Sequence, residues 1–347
     1  MKRFASIVPF FCALFAALAL TACSGSDAPS APLPDGEGLT VHFIDVGQAD
    51  AALVTCGGEA MLIDGGNVGD SDLLYAYLEA QNISSLKYVV GTHAHEDHMG
   101  GLPGALHYAA VDTAFCSTTT SDTKFFRDFV SALEAQGKAI TVPELGSRYP
   151  LGDAEFQFVG PVYEDDDPNN MSLVLRLTYG STSFLFTGDA AREEEADILE
   201  AGYDVSATVL KAGHHGSAGS TTYPFLRSVA PSYAVISCET DNSYGHPHHE
   251  TLSRFRDADV TVYRTDLQGT VLCHSDGKNL SFTTEKNAGI DTNPAQTEAE
   301  GYIGNINSHV FHRASCSGLP DEKNRIYFSG RSEAVAAGYS PCGRCEP

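Results

Sequence analysis

Positive charge is scarce in this chain: 21 Lys and Arg stand against 45 Asp and Glu, a formal net charge of −24. Coating nucleic acid by electrostatics alone needs clustered cations facing phosphates, so that mode is excluded. An enzyme whose bound metal ions supply positive charge locally is not. Beyond residue 23 no apolar run is long enough to span a bilayer, which argues against a membrane-spanning transporter. Nor do the nine cysteines form an evident disulfide framework. Cys56, Cys116, Cys238 and Cys273 are scattered at strand-like positions. Buried free thiols are expected there, with a bridge left open in an oxidising compartment.

The sequence does have a leader. Lys2 and Arg3 precede an apolar run from Phe4 to Leu20, followed by "LTAC": the charged start, hydrophobic centre and small-residue end of a secretory signal. "LTAC" resembles a bacterial lipobox, which implies cleavage before Cys23 and lipid on Cys23; the alternatives are a plain signal peptide or a membrane-anchoring helix. Residues 1–22 are then the lipoprotein signal peptide and 23–38, rich in Ser, Pro and Gly, a lipidated tether. The mature chain is expected outside the cytoplasm, held to the cell membrane through Cys23.

From Leu39 onward, short apolar strands alternate with turns and amphipathic segments. "LTVHFIDV" (39–46), "AALVTC" (51–56), "AMLID" (60–64) and "LKYVVGT" (86–92) read as strands, and "SDLLYAYLEAQN" (71–82) as a helix behind a Ser or Asp cap. The second half repeats the plan: a hairpin over 172–189, a helix in "AREEEADILEAG", a strand in "ATVLKAGHHGS" (207–217), then two helix–strand pairs. This rhythm predicts two sheets packed face to face with helices outside. Residues 284–300 are polar and read as a linker; the short module at 301–347 is too small for a large core without a staple.

The stretch "GTHAHEDHMGG", Gly91 to Gly101, concentrates His93, His95, Asp97 and His98 at the end of a strand. Such crowding costs free energy unless something neutralises it, and a metal ion does so. His93 and His95 can reach one Zn²⁺ or Mn²⁺, Asp97 and His98 a second; Asp189 in "FTGD" could bridge the two and His214 in "GHHGS" could complete the second site. Two ions about 3.5–4 Å apart would activate water and offset charge on an attacked ester. His215 and His246 are further candidates for proton chemistry, with Asp97, and Ser217 for orienting a phosphate. The competing reading of the cluster is a loop of solvated histidines, or a site that binds without turnover.

"THAHEDH" resembles the H-x-H-x-D-H signature of the metallo-β-lactamase superfamily, with ordered companions Asp64 in "LIDGG", Asp189, and His214 or His215. The resemblance covers residues 39–283 and implies an α/β fold, the αββα sandwich, with Asp64 behind the metal ligands. Within that superfamily "HFIDVGQAD", "NNMSLVLRL", "LKAGHHGS" and "NSYGHPH" look most like the extracytoplasmic hydrolase domain of ComEC-type competence proteins, and share vocabulary with choline-phosphate esterases. Both imply attack on a phosphodiester. Many members place a third histidine on the first metal, but no histidine occurs between Tyr108 and Gly213; Asn169, Asn170 or Ser172 occupies the region, and Asn170 is a candidate substrate contact. A labile first site, or one favouring Mn²⁺, is expected from that departure.

Near the C-terminus, His312, Cys316, Cys342 and Cys345 form a closed four-ligand set suited to one structural zinc. "FHRASC…RIYFSGRSEAVAAGYSPCGRC" resembles the metal-binding domain of the Ada DNA-repair protein, whose first ligand is a methyl-accepting cysteine. Here that position is His312, so methyl transfer is not expected; two readings stay open, phosphate contact through Arg313, Arg325, Arg331 or Arg344 and a zinc-stapled tail with no ligand.

The expectation is therefore an extracytoplasmic lipoprotein phosphodiesterase with DNA as substrate, serving a competence apparatus. The alternatives are hydrolysis of choline-phosphate or another wall-linked headgroup, and non-catalytic DNA binding. Oligomeric state is not legible.

Overall fold

The computed structural model describes residues 38–294, 301–313, 316–328 and 330–345, with no account of the Ser332 side chain. The expected signal peptide, Cys23 and all of the tether but Gly38 lie outside these residues, as does 295–300 of the expected linker. No helix among the described residues is long and apolar enough to cross a membrane.

The first half runs β1 (Leu39–Phe43), β2 (Ala52–Cys56), β3 (Glu59–Ile63), α1 (Ser71–Ala80), β4 (Ser85–Gly91), α2 (Glu96–Met99), α3 (Leu102–Tyr108), β5 (Ala110–Cys116), α4 (Lys124–Ala135) and β6 (Ile140–Thr141). It continues through β7 (Arg148–Leu151), β8 (Ala154–Gly160), β9 (Val174–Tyr179), β10 (Thr182–Phe186), α5 (Arg192–Ala201), β11 (Val209–Lys211), α6 (Tyr223–Val229) and β12 (Tyr233–Ile236). Then come α7 (His249–Asp257), β13 (Thr261–Arg264), α8 (Thr265–Gln268), β14 (Val271–Ser275) and β15 (Leu280–Thr284).

These strands make two sheets, ordered β15-β14-β1-β2-β3-β4-β5-β6 and β13-β12-β11-β10-β9-β8-β7. Period-2 side-chain alternation gives each strand two faces to bury. In β1, Leu39, Val41 and Phe43 enter the core between the sheets, where they join Met61 and Phe115 from the first sheet and Phe156, Leu175 and Phe186 from the second. The opposite faces are covered by helices: Leu74, Leu78, Leu102, Phe126 and Phe129 on the first sheet, Ile198, Phe225 and Phe255 on the second. That is the αββα sandwich. Cys56, Cys116, Cys238 and Cys273 are buried free thiols.

Residues 285–294, expected as linker, run back along this body: Thr292 donates from Oγ1 to Val262 O and is buried, and Asn293 donates from Nδ2 to Leu252 O. Beyond them a third sheet combines β16 (Tyr302–Asn305), β17 (Val310–Arg313), β18 (Arg325–Phe328) and β19 (Ser340–Pro341) in the order β18-β16-β17-β19, with α9 (Arg331–Ala336) beside it. Its apolar core is small: Phe311, Phe328 and Ala334, with Tyr302 and Tyr339 packed against them.

Candidate metal centre

The parallel strands β3 and β4 end side by side, and their C-terminal turns supply the first half of the site. Asp64 follows β3 with a positive φ of 58°. Its carboxylate accepts the Thr92 backbone N–H (2.7 Å) and hydroxyl (2.9 Å), and takes a third hydrogen bond from His98 Nδ1 (2.9 Å). Gripping Nδ1 turns Nε2 of His98 inward, the arrangement that fixes a ligand's tautomer. The chain can return after α2 because residue 101 is glycine: a Cβ there would lie 2.1 Å from Gly65 O.

The second half comes from β10 and β11. Gly188, at φ 50°, brings Asp189 up against Ser172, whose Oγ accepts the Asp189 backbone N–H (3.0 Å) and lies 3.3 Å from His93 Nδ1. After β11, His214 and His215 take consecutive left-handed conformations, φ 50° and 53°. Each costs roughly 1–3 kcal/mol and needs surrounding structure to hold it. For His215 the holders are Ser237 O, which accepts from Nδ1 at 3.1 Å, and Asp50 Oδ1, 3.3 Å from the same nitrogen. Asp50 in turn is paired with the buried Lys211, whose Nζ donates to Asp50 Oδ2 (2.8 Å) and Ala212 O (3.0 Å).

Two clusters result, sharing Asp189. Asp97, His98, Asp189 and His215 form one, and His93, His95 and Asp189 the other; in each, one candidate donor atom per residue lies within 4.8 Å of the others. The Nε2 of His98 is 3.2 Å from Asp189 Oδ1, and the Nε2 of His215 is 3.2 Å from Asp97 Oδ2. His93 Nε2 and His95 Nδ1 are 2.9 Å apart.

The expected ligand set completed the second site, that of Asp97 and His98, with His214. The structure puts His215 there; His214 stands at the more open side, with Nε2 3.5 Å from Asp189 Oδ2. Of the residues that replace the third histidine, Ser172 is the one facing His93. Asn170 is spent on loops, its Oδ1 accepting Ala191 N–H and its Nδ2 donating to Asp165. Ser217 Oγ accepts the Gly219 N–H and shapes the turn that leads to α6. Neither Asn170 nor Ser217 belongs to either cluster.

The donor set fits divalent ions. His98 Nε2, His215 Nε2 and Asp189 Oδ1 are buried and have no hydrogen-bond partner, although each points at the others. Burial opposes charge on His98, yet Asp189 and Asp64 hold it protonated well above the ordinary imidazole range. His215 behaves alike: burial lowers it, Asp189 and Asp50 raise it, and the outcome is about 10. Burial raises Asp189, but His98 and His215 bring it well below the usual carboxylate range. These carboxylates call for positive charge, which protons supply only by occupying the imidazole lone pairs.

Beside the clusters, the His246 ring stacks on that of His215 (centroids 6.3 Å, 25°). Its Nδ1 lies 3.3 Å from Gln48 Nε2, while Gln48 Oε1 accepts the Glu239 N–H. With Nδ1 accepting, the neutral ring carries its proton on Nε2. Burial, with His248 and His215 nearby, lowers His246 to about 4.

The C-terminal quartet also converges: His312, Cys316, Cys342 and Cys345 place one donor each within 4.8 Å, and His312 Nδ1 is buried without a partner. Three thiols and an imidazole with no open position make a structural zinc site. Two of the arginines expected on DNA phosphate face the sandwich instead. Arg331 is buried and pairs with Asp257 and the Tyr223 hydroxyl, and Arg313 with His249 and Glu250, because α7 presents those acids to the module.

Asp50, Lys211 and Gln48 carry no local pattern that marks them. Their signal lay only in the family words "GQAD" and "LKAG". Over residues 44–240 the sequence matches the model of the metallo-beta-lactamase superfamily, and over 286–347 that of the metal binding domain of Ada. ComE operon protein 3 of Bacillus subtilis is 32% identical over 253 residues, 67% of this chain and 32% of that protein. Competence protein ComA of Neisseria gonorrhoeae is 29% identical over 248 residues, 69% of this chain and 32% of that protein. Recombination protein 2 of Haemophilus influenzae is 28% identical over 240 residues, 67% of this chain and 28% of that protein. The chain thus spans about a third of the length of these relatives.

Proposed function

The chain belongs to the metallo-β-lactamase superfamily and is a metal-dependent hydrolase, and from that premise we propose that it cleaves phosphodiester bonds in DNA outside the cytoplasm. The observation that carries the reading is the pair of donor clusters joined at Asp189, with unpartnered imidazole and carboxylate atoms aimed inward. His93, His95 and Asp189 would hold one ion, and Asp97, His98, Asp189 and His215 the other. Two such ions lower the pKa of water and offset charge on the phosphoryl oxygens.

The protein's own groups do the rest. Asp64 and Ser172 aim His98 and His93; Asp50 and Ser237 aim His215. His246, neutral and carrying its proton on Nε2, donates a hydrogen bond to a phosphoryl or leaving-group oxygen. The names of the relatives support a place in DNA uptake. The leader ending at Cys23 supports a lipid-anchored, extracytoplasmic location, checked by metabolic labelling with a palmitate analogue, lost in Cys23→Ala.

The deciding assay is cleavage of labelled single- and double-stranded DNA by protein loaded with Zn²⁺ or Mn²⁺. Turnover abolished by chelator and by Asp97→Asn is the expected result. A folded, metal-loaded sample that leaves DNA intact would end the nuclease reading and make choline-phosphate esters the next substrates.

A further inference from the structure

Tyr244 is two-thirds exposed, at 66%, yet its backbone is held in a hydrogen-bonded loop. Asn242 fixes it. Its Oδ1 accepts the backbone N–H of Tyr244 (3.1 Å) and of His246 (3.0 Å), and its Nδ2 donates to the carbonyls of Glu239 (2.8 Å) and His246 (2.5 Å). Both ends of the amide are engaged, so the loop from Glu239 to His246 is pinned from within, while Gln48 pins it from outside through the Glu239 N–H and His246 Nδ1.

The pinned loop lays two rings in line with a third, that of His215 in the turn after β11. Tyr244 stacks on His246 (centroids 5.6 Å, 22°), and His246 on the metal-cluster residue His215 (6.3 Å, 25°). Both spacings are those of offset aromatic pairs. The series begins in solvent and ends at the clusters. Exposing a tyrosine so far contributes little to folding, and a loop with this much internal hydrogen bonding has no structural need for it.

We infer that Tyr244 is a stacking platform for a base of single-stranded nucleic acid, placing a phosphodiester a few nucleotides along the strand at the metal centre; the inference rests on the nuclease reading. Charge gives the reason for such a platform. With a formal net charge of −24 the protein repels a polyanion at long range, so affinity must come from contacts that do not depend on net charge. Base stacking on an aromatic ring is one, and it tolerates any sequence because every base has a π face. A strand rising about 3.4 Å per nucleotide covers each ring-to-ring step in roughly two nucleotides, so base and scissile bond are a few nucleotides apart.

The test compares Tyr244→Ala, Tyr244→Phe and the unaltered chain on a short single-stranded oligonucleotide and on an abasic strand of the same length, with divalent metal present. Turnover and fluorescence anisotropy are both recorded. Tyr244→Ala should raise KM and Kd for the base-bearing strand roughly 10-fold, the effect falling on KM rather than kcat, with Phe restoring binding. On the abasic strand the difference between variants should vanish. Equal binding of the base-bearing strand by the Ala variant, or an equal loss on both strands, overturns the platform. Absence of turnover together with a base-dependent loss of binding overturns the nuclease reading alone.

Discussion

Asp50 and Lys211 lie beneath the metal ligands and set the direction of His215. Both are buried, and burial alone would raise Asp50; Lys211 and His215 pull it well below the ordinary carboxylate range instead. Removing the lysine leaves a buried charge uncompensated, so Lys211→Met should destabilise the chain by about 3–5 kcal/mol in urea unfolding. It should also weaken metal binding by roughly 10–100-fold as His215 loses its aim. A loss under about 1 kcal/mol would mean the pair contributes little beyond a hydrophobic contact. His42 offers a pH test away from the metal centre. It is buried in β1, its Nδ1 2.8 Å from the Tyr77 hydroxyl, and burial lowers it to about 4. The unfolded chain takes up this proton below about pH 6.5, the folded chain not until about pH 4. Stability therefore falls as pH drops through that window, by up to about 1.4 kcal/mol per pH unit from this residue. His42→Gln should flatten that slope relative to the unaltered chain; identical slopes would show that His42 titrates normally in the fold.

At the level of elements, the turn after β11 shows where sequence and structure part. The adjacent His214 and His215 offer equivalent ligands in sequence, and only the paired left-handed residues decide that His215 turns inward. His214 holds a conformation costing roughly 1–3 kcal/mol for an L-residue, with a side chain 30% exposed. Replacing it with glycine, which adopts that conformation freely, should raise stability by about 1 kcal/mol in urea unfolding, while activity falls if the ring touches substrate. Lower stability would show that the ring's contacts outweigh its strain. Strands β1 to β4 and β9 to β13, and helices α1, α5, α6 and α7, were legible because each joins an apolar period to a turn or motif. The stretch holding β5 to β8 and α4 carries no chemical motif. Its elements enter only with the structure, although Phe126, Phe129 and Leu133 keep helical spacing in α4. The histidine cluster was legible because its ligands are local, and Ser172 was named only as one of three residues in place of a third histidine; Asp50 and Lys211 were not legible, because their partners are far along the chain.

On the scale of the whole molecule, the sandwich and the C-terminal module differ in what holds them together. The sandwich has three apolar clusters, one between its sheets and two beneath its helices. The module has Phe311, Phe328 and Ala334, too few to order it without a staple. Its stability must come from zinc on the His312, Cys316, Cys342 and Cys345 quartet and from docking, with Arg331 buried against Asp257 and Tyr223 and placed over the Phe311 ring at 5.7 Å. Strand β17 joins the two supports, since His312 is a zinc donor and its neighbour Arg313 grips Glu250 on α7. Cys316→Ser should then remove one equivalent of zinc per chain and expose residues 301–345 to protease, while the sandwich keeps its own unfolding midpoint. Arg331→Ala should retain the zinc and still loosen the module, because Asp257 and the Tyr223 hydroxyl lose the guanidinium that ties them to α9. Zinc counting by atomic emission beside limited proteolysis separates the two effects. If Cys316→Ser instead lowers the midpoint of the entire chain, the module is an integral wall of the hydrolase body, and zinc at the quartet stabilises the active site through α7.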